Sequence, residues 1–436
     1  MDVNLFDRHD ALTVQQYTVK IVIAGTLILF PAVVPLSAEE PLRLEDCLRL
    51  AARNNPDLYA AEASVRKARM ELYSSYGNFL PHVTADAGIS DGESDSASGT
   101  TDLDDTSIGL SLEQPLFTGF RNFGTSKQKR AALESAEATL TQTQADVAFA
   151  VRRAFAQLLF AQEQVALAQA IHTRRQDNVS LVELRYEAGR EHKGSFLRIQ
   201  ASERQASADL AKAKRAIAVA RQQLAAALGN EEPRDSVVQG TFATISPITD
   251  PDLDALTKET PAYRQAAAGV LASRAALTIA QSSFLPEVSA TGTLARRGTD
   301  WPPRNDRWLA GVEVSLPLFA GGQNMFDRGS AKAELARVEA VLKSVAQQTR
   351  FDLSDTYVAY ADAIEDRAVE EQFLEAAEVR AEIAQGQYTS GLLSFENWDI
   401  IENDLIDTQK IVLASRRDAV IAEADWERVQ GKGSIP

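Results

Sequence analysis

This sequence is poor in the residues that most chemistry needs. It holds one cysteine, Cys47, and four histidines, His9, His82, His172 and His192. A lone cysteine excludes an intramolecular disulfide and a cysteine metal cluster, and scattered histidines offer no convergent ligand set. Cys47 lies in the helical phrase Leu44–Leu50 with no small-residue lipobox before it, so it reads as a buried small apolar side chain. No phosphate loop, dinucleotide glycine motif or His-Glu-x-x-His pair occurs. Ser64-x-x-Lys67 matches a serine–lysine string but lacks the partner motifs of that chemistry. The residues therefore give no catalytic group, no cofactor site and no metal site, and the chain does not read as an enzyme.

Basic charge is also in deficit, with 45 Lys+Arg against 61 Asp+Glu. Nucleic acid is an improbable partner, because phosphate binding needs a basic face. Aromatics make up only 7% while alanine and glutamine abound, which suits long helices with thin cores. Long apolar runs are missing too. Ile21 to Phe30, between Lys20 and Pro31, is too short to span a bilayer and the right size for a signal-peptide core. The expected organisation begins with a signal peptide over 1–38, cut after Ala38. Since no other stretch is apolar enough for a membrane helix, membrane contact must be made by strands.

What the sequence does have is a long repeat. Phe79-Leu80-Pro81 recurs as Phe284-Leu285-Pro286, and Pro115-Leu116-Phe117-x-Gly119 as Pro317-Leu318-Phe319-x-Gly321. Tyr186-x-x-Gly189 recurs as Tyr388-x-x-Gly391. All lie about 202 to 205 residues apart in the same order, so a domain-sized unit is written twice. The first copy is expected over 39–229 and the second over 261–430, with a connector over 230–260 and a tail over 431–436.

Each copy predicts helix, strand pair, long helix, turn and returning helix. The first helix runs from Leu44 to Gly77 and is stopped by Pro81. Val83, Ala85, Ala87 and Ile89 alternate, as do Ile108, Leu110 and Leu112, with a polar loop from Asp91 to Ser107 between them and Pro115 ending the second strand. The second copy gives strands over Val288–Leu294 and Leu309–Leu316. From Arg121 to Ala188 no proline occurs and apolar residues step by seven, through Leu133, Leu140 and Val147, then from Val151 to Leu158 and Val165. A helix of that length reaches about 100 Å. Its twin runs from Gln323 to Ser390, and Trp398, Leu405, Val412, Ala419 and Trp426 keep the step on the returning helix. Sevenfold spacing means coiled helix-on-helix packing. The fold class is mainly α with a small β part. Four strands per chain are too few to close a barrel, whereas four from each of three chains would close one of twelve and remove every edge.

The Phe-Leu-Pro, Pro-Leu-Phe-x-Gly and Tyr-x-x-Gly motifs, present in both copies in order, resemble the TolC-like outer-membrane efflux factors over residues 42 to 430. The resemblance implies a homotrimer with a twelve-stranded outer-membrane β-barrel on a periplasmic α-helical tunnel. Implied partners are a periplasmic adaptor protein, an inner-membrane transporter and outer-membrane lipid. It implies the exit duct of a tripartite efflux pump; a type I protein-secretion duct and a non-channel periplasmic coiled-coil scaffold stay open as alternatives. It further implies that the two turns, with Tyr186, Gly189, Ser195, Tyr388, Gly391 and Ser394, form the periplasmic tip that an adaptor contacts. Ser195 and Ser394 are expected to cap the returning helices. Family members carry acidic residues just past the second turn. Here Asn397 and Ile400 stand at those spacings, leaving Glu396, Asp399 and Glu402 as the candidate constriction.

Overall fold

A computed structural model describes residues 41–433 apart from 97–98, 103–104, 231–236 and 248, so the expected signal peptide lies outside the described residues. The chain order is α1 (Leu44–Asn54), α2 (Pro56–Gly77), β1 (His82–Ser90), β2 (Glu93–Ser96), β3 (Gly99–Asp102), β4 (Asp105–Thr118), α3 (Arg121–Glu187) and α4 (Lys193–Leu228). It continues through α5 (Leu253–Glu259), α6 (Pro261–Ser282), β5 (Glu287–Gly298), β6 (Asn305–Ser315), α7 (Gln323–Ser390) and α8 (Phe395–Val429).

The two long helices run over 67 and 68 residues, within a residue of the expected bounds. Their shorter partners differ from expectation. The first helix is broken at Asn55, whose side chain accepts from the amides of Asp57 and Leu58 and restarts the chain at Pro56. Proline at the first helical position lacks only an amide that would be unsatisfied anyway. Thr260 and Pro261 do the same for α6. At each break the returning helix of the same copy arrives end-on. A Cβ on Gly229, at φ +76°, would stand 2.6 Å from the Asn54 carbonyl, and one on Gly431 would stand 2.4 Å from Pro261. Only glycine lets the ends meet. Thus α4 ends where α2 begins, both lying along α3, and α8 ends where α6 begins, both lying along α7. The largest buried cluster lies at this joint, with Cys47, Val151, Phe155, Leu158 and Leu224. Burial pushes the Cys47 thiol up to about 12, as for an inert core cysteine.

The seven-residue step is present, with Trp398, Leu405, Val412 and Ala419 all buried. Over residues 125–146 of α3 the buried residues are Ala131, Ala138 and Ala145, while Leu133 and Leu140 are only half-buried. Alanine occupies the contact because a small side chain lets helix axes approach closely.

The strands form one antiparallel sheet, β1-β4-β5-β6, so the two copies join at β4–β5 and leave β1 and β6 as free edges. Strand bounds move outward in both copies: β5 runs on to Gly298 and β6 begins at Asn305, past the expected Leu294 and Leu309. β4 begins at Asp105 and passes through Pro115 with a shift of register before Phe117, because proline is tolerated at a bulge. The expected polar loop contains a hairpin, β2–β3, in which Ser and Thr residues continue the ladder without an apolar stripe. The register puts Val83 opposite Leu112, Leu110 opposite Leu294, and Leu294 opposite Trp308. That face is mainly apolar, with Thr106, Arg296 and Asp306 at one end. Thr84, Ser111 and Thr293 share the other, which is mainly polar though it holds Leu309. No described helix is long and apolar enough to cross a membrane.

Candidate functional site: the paired helical turns

At the end remote from the sheet, the turns of α3–α4 and α7–α8 stand side by side. The first turn closes through Gly189 at φ +68°, with the Arg190 amide on the Arg185 carbonyl at 2.8 Å. The second closes through Gly391 at φ +81°, with the Leu392 amide on the Gln387 carbonyl at 2.9 Å. Both are glycine C-caps. Ser394 caps α8 as expected, accepting from the Asn397 amide. Ser195 does not cap α4. His192 does, its Nδ1 accepting from the Ser195 amide at 3.2 Å, because it holds the place three residues past the glycine that Ser394 holds in the second turn. Ser195 is buried at the third helical position, its hydroxyl against the His192 ring.

The tyrosines of the two matching motifs sit in different surroundings. Tyr388 is fully buried and stacks on Trp398, also fully buried, with centroids 4.4 Å apart. The Arg185 guanidinium lies 4.6 Å from the Tyr388 ring centroid and donates to its carbonyl at 2.8 Å. The Tyr388 hydroxyl donates to Glu191 at 3.1 Å. Burial first, and the Glu191 carboxylate second, push the Tyr388 phenol well above the ordinary tyrosine range. Tyr186 is 37% exposed and stacks on Phe196 at 5.5 Å.

Behind the aromatic layer lies a buried ionic cluster. Asp399 and Glu402 are each 2% exposed, as are Arg175 at 3% and Asn178 at 2%. Arg198 donates to Asp399 at 2.6 Å, Arg175 donates to Asn403 at 2.7 Å, and Asn178 donates to Glu402 at 3.3 Å. Arg175 Nη1 and Asp399 Oδ1 face each other at 3.8 Å, neither with a hydrogen-bond partner. Burial pulls the Arg175 guanidinium down, opposed by Asp399 and Glu402. The cluster ties α8 to both helices of the first hairpin. The three acidic candidates therefore stand apart: Asp399 and Glu402 face α3 and α4 inside the protomer, whereas Glu396 is exposed on the first turn of α8. Sequence reasoning missed Arg175, Asn178 and Arg198, which sit at ordinary polar positions of a helix. The one signal was an arginine on a seam otherwise filled by valine and isoleucine.

The described residues contain no group of His, Cys, Asp and Glu able to hold a metal ion. What the arrangement can do is mechanical and electrostatic: it fixes two helical hairpins against each other at one end of a long stave.

Comparison with known proteins agrees with this shape. The description "Outer membrane efflux protein" matches residues 47–230 and 253–431. The probable outer membrane lipoprotein SilC of Salmonella typhimurium is 22% identical over 373 residues, covering 83% of this chain and 80% of that protein. The cobalt-zinc-cadmium resistance protein CzcC of Cupriavidus metallidurans is 22% identical over 385 residues, covering 88% and 87%. The crystal structure of CusC, described with transmembrane channel formation, superposes with a TM-score of 0.81 at 17% identity over 89% of this chain and 92% of that one. With both copies of its repeat matched, the chain belongs to the outer membrane efflux protein family and is an efflux channel protein of the outer membrane.

Proposed function

We propose that this chain is one of three identical staves of an exit duct. Its sheet lines a twelve-stranded barrel, and its helices form a periplasmic tunnel that meets an adaptor protein and an inner-membrane transporter. The observation that carries this is the sheet: one apolar face, one polar face, and two unpaired edges, in a chain whose described helices are not apolar enough to span a bilayer. A single copy would leave both edges open, an invitation to pairing that closure removes. The exposed apolar knobs along α7, such as Phe351, Val358 and Phe373, are what a helix shows when a neighbouring copy is missing. The family is one of channels, and we assign the chain no reaction.

In this reading Tyr186, Gly189, Ser195, Tyr388, Gly391 and Ser394 shape the tip offered to the adaptor. Glu396 is the carboxylate free to face a threefold constriction, while Asp399 and Glu402 set the position of α8. CzcC is named for cobalt, zinc and cadmium, and a second relative for pyoverdine export, which supports small solutes as cargo. The test is assembly. The outer-membrane fraction should contain heat-resistant trimers in which a cysteine on β1 forms a disulfide with one on β6 of another copy. Monomers in the soluble periplasm would overturn the reading in favour of a scaffold.

A further inference from the structure

The helix order decides which surfaces a neighbouring copy would meet. In the half of the molecule nearest the turns, α3 packs on α4 and α8, and α8 packs on α7. The lateral helices are α4 on one side and α7 on the other, matching β1 and β6 at the sheet. Their charges are opposite. Over Lys193–Leu228, α4 carries seven basic and two acidic residues. Over 352–390, α7 carries ten acidic and two basic residues.

The placement of these charges sharpens the contrast. The inner face of α4 is set by Ile199, Ala206, Leu210 and Ala213, which are buried. At 100° per residue, Arg204, Ala208 and Arg215 fall on the opposite face, and all three are exposed. The inner face of α7 is set by Ala377, Ala381, Ala384 and Tyr388. Glu365, Glu375, Val379 and Glu382 fall opposite it, again exposed. Among the described residues, neither arginine and none of these three glutamates has an ion-pair or hydrogen-bond partner in its own protomer, although many neighbouring charges do.

The levels also correspond. Contacts of Arg185 with Tyr388, and of Arg198 with Asp399, show that both hairpins end at one height. Counting back from the turns at about 1.5 Å per residue, Arg204 lies level with residue 379, between Glu375 and Glu382. Arg215 lies level with residue 368, beside Glu365. Between them, the small Ala208 lies by the same count level with residue 375, one helical turn from Val379. We propose that the tunnel seam between neighbouring copies is charge-coded: the basic α4 edge of one copy seats the acidic α7 edge of the next, with α7 knobs over α4 alanines. This rests on the trimeric reading above and adds to it a specific, salt-sensitive joint in the tunnel half, separate from the strand pairing that closes the barrel.

The test uses full-length protein purified from outer membranes, with Cys47→Ala and the pair Ala208→Cys and Ala376→Cys. Oxidation should link α4 of one copy to α7 of the next and yield covalent trimers. Arg204→Glu with Arg215→Glu should slow linking about tenfold at low salt, since several exposed pairs each add little but act together. Adding Glu365→Arg, Glu375→Arg and Glu382→Arg should restore the rate, which separates charge pairing from a folding defect. At about 1 M salt, where screening is short-ranged, the difference should shrink to about twofold. Linking that ignores both sets of reversals, or trimers that never link at this pair, would overturn the charge-coded seam while leaving the trimer standing. Absence of trimers in every sample, the unreversed one included, would overturn the assembly reading instead.

Discussion

The two helical turns come from one repeated motif and end in different environments. Tyr186 and Tyr388 each stand three residues before a left-handed glycine, and the backbone closes similarly around both. Tyr388 is sealed between Trp398 and Arg185, while Tyr186 remains partly open against Phe196. The layout is otherwise the same: His192 and Ser394 each cap three residues past the glycine, and Phe196 stands where Trp398 stands in α8. The difference lies in burial, for Trp398 is fully buried and Phe196 only half-buried. The motif determines the turn. Its neighbours determine whether the tyrosine is a surface group or part of a core.

That contrast can be broken by substitution, and the largest effect should come from the buried layer. Trp398→Ala removes the ring that Tyr388 stacks on and should destabilise the second turn by about 3–5 kcal/mol. Tyr186→Ala, at a part-exposed site, should lose less than about 1.5 kcal/mol. Hydrogen exchange of the two turns in the intact protein reads both. Equal losses would mean that the turns are energetically alike despite their geometry.

Next in size is the ionic cluster. Asp399→Ala leaves Arg175 buried without its nearest carboxylate and should cost about 3 kcal/mol, whereas Asp399→Leu combined with Arg175→Met should be nearly neutral. Denaturant unfolding of the single and double variants closes the cycle. A double variant as unstable as the single would assign the effect to packing.

A smaller, pH-dependent difference follows from Tyr388. Its phenol is raised in the folded protein, so the neutral form is favoured and its stabilising part is complete below the ordinary tyrosine value of 10.0. That part is lost as pH rises above it. Protection at 384–395, taken relative to the intrinsic exchange rate at each pH, should fall in alkali, and Tyr388→Phe should remove that fall at a loss of about 1 kcal/mol at neutral pH. Glu423, at the joint, carries a shift of the same sign, raised by burial first and by Glu427 as well, against the Ile245 amide. Its contribution is complete below the ordinary 4.5 and is lost as pH rises above it. Glu423→Gln keeps an acceptor for the Ile245 amide and should stabilise slightly at pH 7, by less than about 1 kcal/mol after solvent screening, read as a rise in Tm.

Most of the fold was legible because its determinants are periodic. Heptad steps in α3, α7 and α8, proline-bounded strands and repeated glycines each report a local rule. The helix breaks at Asn55–Pro56 and Thr260–Pro261 were equally regular but were passed over, because a capped restart interrupts the chain without changing its apolar period. The β2–β3 hairpin was hidden for another reason: its serines and threonines carry no apolar alternation. At the turns, glycines and Ser394 followed from backbone rules, but the partners of Asp399 and Glu402 did not. Arg175 and Arg198 lie more than 200 residues from Asp399 in sequence and meet it only because the hairpins end level.

Whether three of these chains enclose a passage is read from conductance. Purified protein added to a planar bilayer should give small, mostly closed, cation-preferring currents, consistent with an acidic tip that includes Glu396. Deleting the turns around Tyr186–Ser195 and Tyr388–Ser394 should hold the channel open and raise the current several-fold. No current from either form, with trimers present in the sample, would contradict the account.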